Sequence, residues 1–184
     1  LGQTTVLHRF NLTTPFDFKT ARYANQFDIP SADGDSINGF SISKDGTRLF
    51  TVDEGADQDT PVLKTYSLSQ AFDITSATEI HSVDLFDIGL VNDDERQSVR
   101  DIEFNHDGSE MFISVLDVND FTNNGIYVFS LGKNYDVSTA THVGGHDFLY
   151  RVSPGGALRA ADAGNGYPAG HGIIWGFSFS SDGM

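Results

Sequence analysis

The side chains best placed to do chemistry are oxygen ligands gathered in loops. Asp53-Glu54-Gly55-Ala56-Asp57-Gln58-Asp59 sets acids at alternate positions, and Asp117-Val118-Asn119-Asp120 offers the same chemistry further on. Clustered oxygens of this kind suit Ca2+, which takes about 6–8 oxygen ligands at about 2.3–2.6 Å. Asp53, Asp57, Asp59, Asp117, Asn119 and Asp120 are therefore the candidate Ca2+ ligands. No full EF-hand pattern accompanies them, because the Gly and Glu that such a loop needs are missing. The competing reading is that these acids cap the amides of their own turns. Asn92-Asp93-Asp94-Glu95 reads as a solvated acidic loop.

Catalytic patterns are scarce. The six histidines (His8, His81, His106, His142, His146 and His171) form no H-E-x-x-H, and no serine sits in G-x-S-x-G. There is no cysteine, hence no disulfide, thiolate metal site or cysteine nucleophile. The Gly-rich stretch from Ser153 to Gly172 has no G-x-x-x-x-G-K-[ST], so it reads as a binding loop, with Arg151 and Arg159 as anion contacts, and not as a phosphate cradle. No enzymatic activity is expected.

Charge narrows the partners. Eleven Lys and Arg against 26 Asp and Glu leave a formal net charge of −15 over 184 residues. Such a surface repels a phosphate backbone, which argues against nucleic acid, and it disfavours anionic membranes as well. No apolar run nears the ~20 residues of a membrane-spanning helix, so no membrane insertion is expected. The opening Leu1-Gly2-Gln3-Thr4 carries neither an initiator Met nor a signal-peptide core, which suggests a processed or excised chain.

These residues are positioned by a repeat. Gly39-Phe40-Ser41-Ile42-Ser43-Lys44-Asp45-Gly46-Thr47-Arg48-Leu49-Phe50 returns as Asp101-Ile102-Glu103-Phe104-Asn105-His106-Asp107-Gly108-Ser109-Glu110-Met111-Phe112, and begins again at Gly176-Phe177-Ser178-Phe179-Ser180-Ser181-Asp182-Gly183. A second module, Tyr66-Ser67-Leu68-Ser69-Gln70-Ala71-Phe72-Asp73, matches Phe10-Asn11-Leu12-Thr13-Thr14-Pro15-Phe16-Asp17 and Phe129-Ser130-Leu131-Gly132-Lys133-Asn134-Tyr135-Asp136. The two modules alternate. In the first, period-2 apolar residues make a strand, Asp-Gly makes a hairpin turn, and Leu49/Phe50/Val52 make the returning strand. In the second, Val62 to Leu68 is a third strand. Phe72-Asp73 lies in the next connection, its ring plugging the gap between units, and residues from Glu79 to Leu85 form a fourth strand.

Four antiparallel strands per repeat, with 15 Phe and 19 Gly and few helix signals, predict an all-β chain of β-propeller blades. The FSxSxDGxxLFxVD and YSLSxxFDxxTA pair resembles a β-propeller repeat of marine bacterial and phage proteins. Its hairpin half is similar to that of surface-layer and lactonase-like propellers. The resemblance implies an extracellular, secreted or virion-associated module for adhesion, recognition or structural assembly. Its partners would be other protein chains (further blades or identical subunits) or surface glycans. A polymer subunit completed by strands from its neighbours, and a lactonase-like hydrolase with a channel metal, are the alternatives.

The blade boundaries read as a partial blade over 4–30, whole blades over 37–85 and 99–150, the Gly-rich insertion over 153–172, and a partial blade over 173–184. Two blades and two halves fall short of the ~4–8 blades of a closed ring. The expectation is an incomplete propeller, either excised from a longer chain or completed by other subunits. Asn38, Arg100 and Trp175 begin the inner strands, which makes them the candidate channel and ligand-binding residues. Trp175 is suited to stacking on a sugar ring or to packing in the core.

Overall fold

The computed structural model describes residues 5–30, 37–53, 60–90, 97–117, 125–147 and 176–178. Ten strands are present among them: β1 (Thr5–Leu12), β2 (Ala21–Ile29), β3 (Ile37–Ile42), β4 (Arg48–Asp53), β5 (Val62–Leu68), β6 (Ala77–Asp84), β7 (Gln97–Phe104), β8 (Glu110–Asp117), β9 (Gly125–Leu131) and β10 (Ala140–Asp147). They form three antiparallel sheets. β1 and β2 pair as a hairpin, β3 to β6 form a four-stranded meander, and β7 to β10 form another. The chain is all-β, as its alternation of apolar and polar residues dictates. No helix among the described residues is long and apolar enough to cross a membrane.

The repeat is visible in the irregularities as well as in the strands. Register skips one residue in β1–β2 between Tyr23 and Asn25, in β5–β6 between Glu79 and His81 and in β9–β10 between His142 and Gly144. The skipped residues, Ala24, Ile80 and Val143, are repeat equivalents. A bulge lodges an extra residue and sharpens the local twist, so each sheet is bent at the same height. The connection before each outer strand is a single 3-10 turn: Phe18–Thr20, Ile74–Ser76 and Val137–Thr139. Asp73 Oδ1 accepts from the Thr75 N–H at 3.1 Å to open the second of these.

Burial follows the order of the sheets. Phe50, Val52 and Leu63 of the first meander share one core with Ile102, Phe104, Met111 and Phe129 of the second. Phe50 and Phe104 meet with ring centroids 4.3 Å apart. A smaller core joins the hairpin to the first meander through Ile29, Leu49, Tyr66 and Leu68. There Phe27 stands edge-on to Tyr66 at 5.6 Å. Burial pushes the Tyr66 phenol up to about 12, with the Glu79 carboxylate adding to it.

The aromatic after the third strand of each unit adopts a left-handed backbone in all three copies: φ is 62° at Phe16, 59° at Phe72 and 59° at Tyr135. In the complete sheets its N–H donates to the carbonyl of the turn glycine at 2.8 Å, Phe72 to Gly46 and Tyr135 to Gly108. The gap-plugging expected of this aromatic holds for Tyr135, whose ring lies 6.3 Å from Phe50 of the preceding sheet and 5.4 Å from Phe104. Phe72 makes the same turn contact but is 48% exposed, and Phe16 is 94% exposed.

Candidate functional site

Two of the sequence-derived channel residues, Asn38 and Arg100, prove to be bulge residues. β3 and β4 pair Ile37 with Asp53 and Gly39 with Val52, leaving Asn38 as the extra residue. β7 and β8 skip Arg100 in the same way, between Val99 and Asp101. Asn38 Nδ2 donates to the Val99 carbonyl at 2.8 Å, tying β3 to β7. The two strands run so close that a Cβ on Gly39 would stand 2.6 Å from Asp101 Cα. Trp175 lies outside the described residues, but its neighbour Phe177 donates its N–H to Asp101 Oδ2 at 3.0 Å. Asp101 is thus approached by β3 on one side and by residues 176–178 on the other.

That seam carries a pair of carboxyls, Asp101 and Glu103, which the repeat places on one strand without marking them as a site. Glu103 lies two residues along β7 and accepts from Ser41 Oγ at 3.0 Å. Burial raises the pKa of Asp101 against the amide bonds of Phe177 and Ile102. Burial also raises Glu103, opposed by the Ser41 bond and reinforced by the Asp101 charge. Period-2 spacing on one strand would have signalled this pair, since Asp101 and Glu103 share a face.

The candidate Ca2+ ligands divide differently. Asp53 closes β4 and is buried at 2% exposure, with Lys64 Nζ 3.8 Å from its Oδ2. Asp117 closes β8. Asp57, Asp59, Asn119 and Asp120 lie outside the described residues, as do the Asn92 cluster and the Gly-rich stretch with Arg151 and Arg159. Among the described residues no three His, Asp or Glu side chains gather closely enough to hold a metal ion.

The most distinctive surface was not foreseen. β1 pairs with β2 alone among the described residues, whereas its repeat equivalents β5 and β9 are each paired on both sides. Along the open edge, from Leu7 to Leu12, runs a groove of about 590 Å³ whose far wall is Phe40, Ile42, Phe72 and Ile74. By the repeat these four correspond to Ile102, Phe104, Tyr135 and Val137. In the second meander those residues lie in or against the core that holds Phe50 and Val52 of β4. The groove is therefore the place of a β4-like strand. Phe10, Phe40 and Phe72 are each about half exposed along it, and Phe16 and Phe18, in the connection that follows β1, are exposed as well. The signal in the sequence is the repeat itself, in which an Asp-Gly hairpin precedes both β5 and β9.

No family model matches the chain, and no curated protein does. Among solved structures, a crystal structure of a protein from Lactobacillus plantarum superposes with a TM-score of 0.49 at 12% identity, covering 78% of this chain and 36% of that one. The chain thus spans about a third of that protein's length.

Proposed function

We propose that the chain is a non-enzymatic β-propeller-type module, extracellular or virion-associated, that works by assembly: its open β1 edge takes up an Asp-Gly hairpin of its own repeat type. The observation that carries this reading is the equivalence of the groove wall to residues that a β4 strand covers in the second meander. Added strands gain affinity from main-chain hydrogen bonds and specificity from alternate side-chain pockets. Here the backbone edge of β1 supplies the first, and the half-exposed Phe40 and Phe72 supply the second. Phe16 already holds the left-handed conformation with which Phe72 and Tyr135 seat themselves on a turn glycine. Among the described residues nothing pairs with this side of β1, and an open, apolar-flanked strand edge is an aggregation hazard.

The test adds a fluorescent peptide of residues 39–53 to the folded chain and follows its anisotropy. Saturable binding is expected, at least tenfold weaker for peptides carrying Gly46→Ala or Phe50→Ala. Absence of saturable binding, or equal binding by the two altered peptides, overturns the reading.

A further inference from the structure

One face of the β1–β2 hairpin repeats a surface that the molecule buries twice elsewhere. Side chains alternate along β1, so Leu7 turns to the core shared with Tyr66 and Leu68 while His8 and Phe10 turn to the opposite face. There Phe10 stands edge-on to Tyr23 with ring centroids 5.8 Å apart, and His8 lies 6.1 Å from the same ring. The pairing of Phe10 with Tyr23 is repeated by Tyr66 with Glu79 and by Phe129 with His142. Tyr66 is 1% exposed and Phe129 0%, each covered by the sheet before it, whereas Phe10 is 55% exposed. Phe18 follows the same pattern: it is 82% exposed, and its equivalents Ile74 and Val137 are buried.

The β7–β10 sheet shows what such a face takes. Its rings Tyr127, Phe129 and His142 match His8, Phe10 and Tyr23 position for position, with histidine and tyrosine exchanged. Tyr127 and Phe129 share their core with Phe50 and Leu63 of the preceding sheet. On the far side of β7–β10 the register places Phe112 and Val128 where Phe50 and Thr65 pair, and Ile126 where Leu63 stands. Phe50, Leu63 and Thr65 are buried, while Phe112, Ile126 and Val128 are partly exposed. One molecule therefore presents both halves of a contact that it already makes internally. We infer that the face of β1–β2 carrying Phe10, Phe18 and Tyr23 is a docking surface for a second copy of this chain, which lays the outer side of its β8–β9 pair on it. The contact is head to tail, so copies add in one direction until a ring closes or a filament grows. It is a packing of sheet on sheet and needs no strand added at the β1 edge. A net charge of −15 on each copy opposes their approach, so salt strengthens the association.

Sedimentation velocity of the full chain over a wide concentration range, at low and high salt, tests the contact. Species larger than the monomer are expected, growing with concentration and favoured by salt. Phe18→Glu alters an exposed side chain, so the fold is retained, but docking would bury an unpaired carboxylate and should weaken association at least tenfold. Ile126→Glu acts on the other half of the contact, and Val128→Glu replaces it should that variant fail to fold. Each variant alone should sediment as a monomer. An equimolar mixture of the two should form a one-to-one dimer, because each keeps the half that the other has lost. Phe18 does not line the β1 groove, so Phe18→Glu should bind the peptide of residues 39–53 as the parent does, which separates this contact from strand addition. A parent chain that stays monomeric at every concentration and salt, a Phe18→Glu chain that associates like the parent, or a mixture of folded variants that gives no dimer overturns the inference.

Discussion

The ring of Tyr135 occupies the space in which a side chain on Gly108 would begin. A Cβ at Gly108 would lie 2.4 Å from Tyr135 Cδ2, and Gly108 itself has φ of 73°. Gly46 and Phe72 repeat the relationship, also at 2.4 Å, with φ of 70°. The two glycines are constrained alike, but their aromatic partners are not equally free. Tyr135 is held between Phe50 and Phe104, and its hydroxyl donates to the His106 carbonyl at 3.4 Å. Phe72 is half exposed and can swing outward. Gly46→Ala should therefore cost about 1–2 kcal/mol, the penalty of a left-handed alanine. Gly108→Ala adds the displacement of a packed ring and should cost about 3 kcal/mol or more. Urea unfolding midpoints of the two variants check the order, and a larger loss at Gly46 would contradict it.

Phe16 separates stability from assembly. Its backbone is left-handed at φ of 62°, yet 94% of the residue is exposed, so its ring contributes almost no burial within the chain. Replacing it with Gly removes a conformational cost of about 1–2 kcal/mol, partly offset by about 0.5–1 kcal/mol of extra unfolded-state entropy. Phe16→Gly should leave thermal stability unchanged or slightly raised, while the peptide of residues 39–53 binds at least tenfold more weakly. A loss of stability with undiminished peptide binding would show that the strained backbone serves the hairpin alone.

Much of this architecture can be read from spacing. Asp45-Gly46 and Asp107-Gly108 mark the hairpins because a left-handed turn selects Gly, and the strands fall where Phe40/Ile42 and Ile102/Phe104 alternate. Asn38 and Arg100 could be aligned as equivalents, but their standing as bulge residues could not, since register is a property of pairing. Spacing puts Glu103 on the face of Asp101, but its contact with Ser41, 62 residues away, is not legible in the sequence. The edge groove escaped notice for a related reason. Phe40 and Phe72 have the composition of core residues, and only the order of the sheets decides whether a neighbour covers them.

The inner-strand carboxyls set a pH dependence of definite sign. Burial raises both Asp101 and Glu103 above their ordinary values. Their contribution to stability is therefore fully present below the unfolded values of about 4 and is lost as pH rises through the folded ones. Asp101→Asn removes one of the two charges and relieves its partner. It keeps an acceptor for the Phe177 or Ile102 N–H, and the other lost bond is a pH-independent offset. The stability of the variant relative to the parent should rise between about pH 4 and about pH 7. Urea unfolding across that range reads the slope, and a difference that is flat or falls with pH would show that the two carboxyls are not linked to folding as described.

The seam between β3 and β7 offers the sharpest steric test. A Cβ at Gly39 would lie 2.6 Å from Asp101 Cα and 2.9 Å from the Arg100 carbonyl oxygen. Both are backbone atoms, so no side-chain rotation relieves the contact and the strands must part. The bonds from Asn38 to the Val99 carbonyl and from Ser41 to Glu103 cross the same seam and would lengthen together. Gly39→Ala should cost about 2–3 kcal/mol, in the range of core overpacking. Gly132→Ala is the control, because its nearest neighbour would be Thr139 Cβ at an ordinary 3.5 Å. There the loss of unfolded-state freedom should stabilise the chain by about 0.4–1 kcal/mol. Opposite signs in one series of unfolding curves would establish that Gly39 is required by the approach of the two strands and not by turn geometry. A mild effect at Gly39 would mean that β3 and β7 are free to separate.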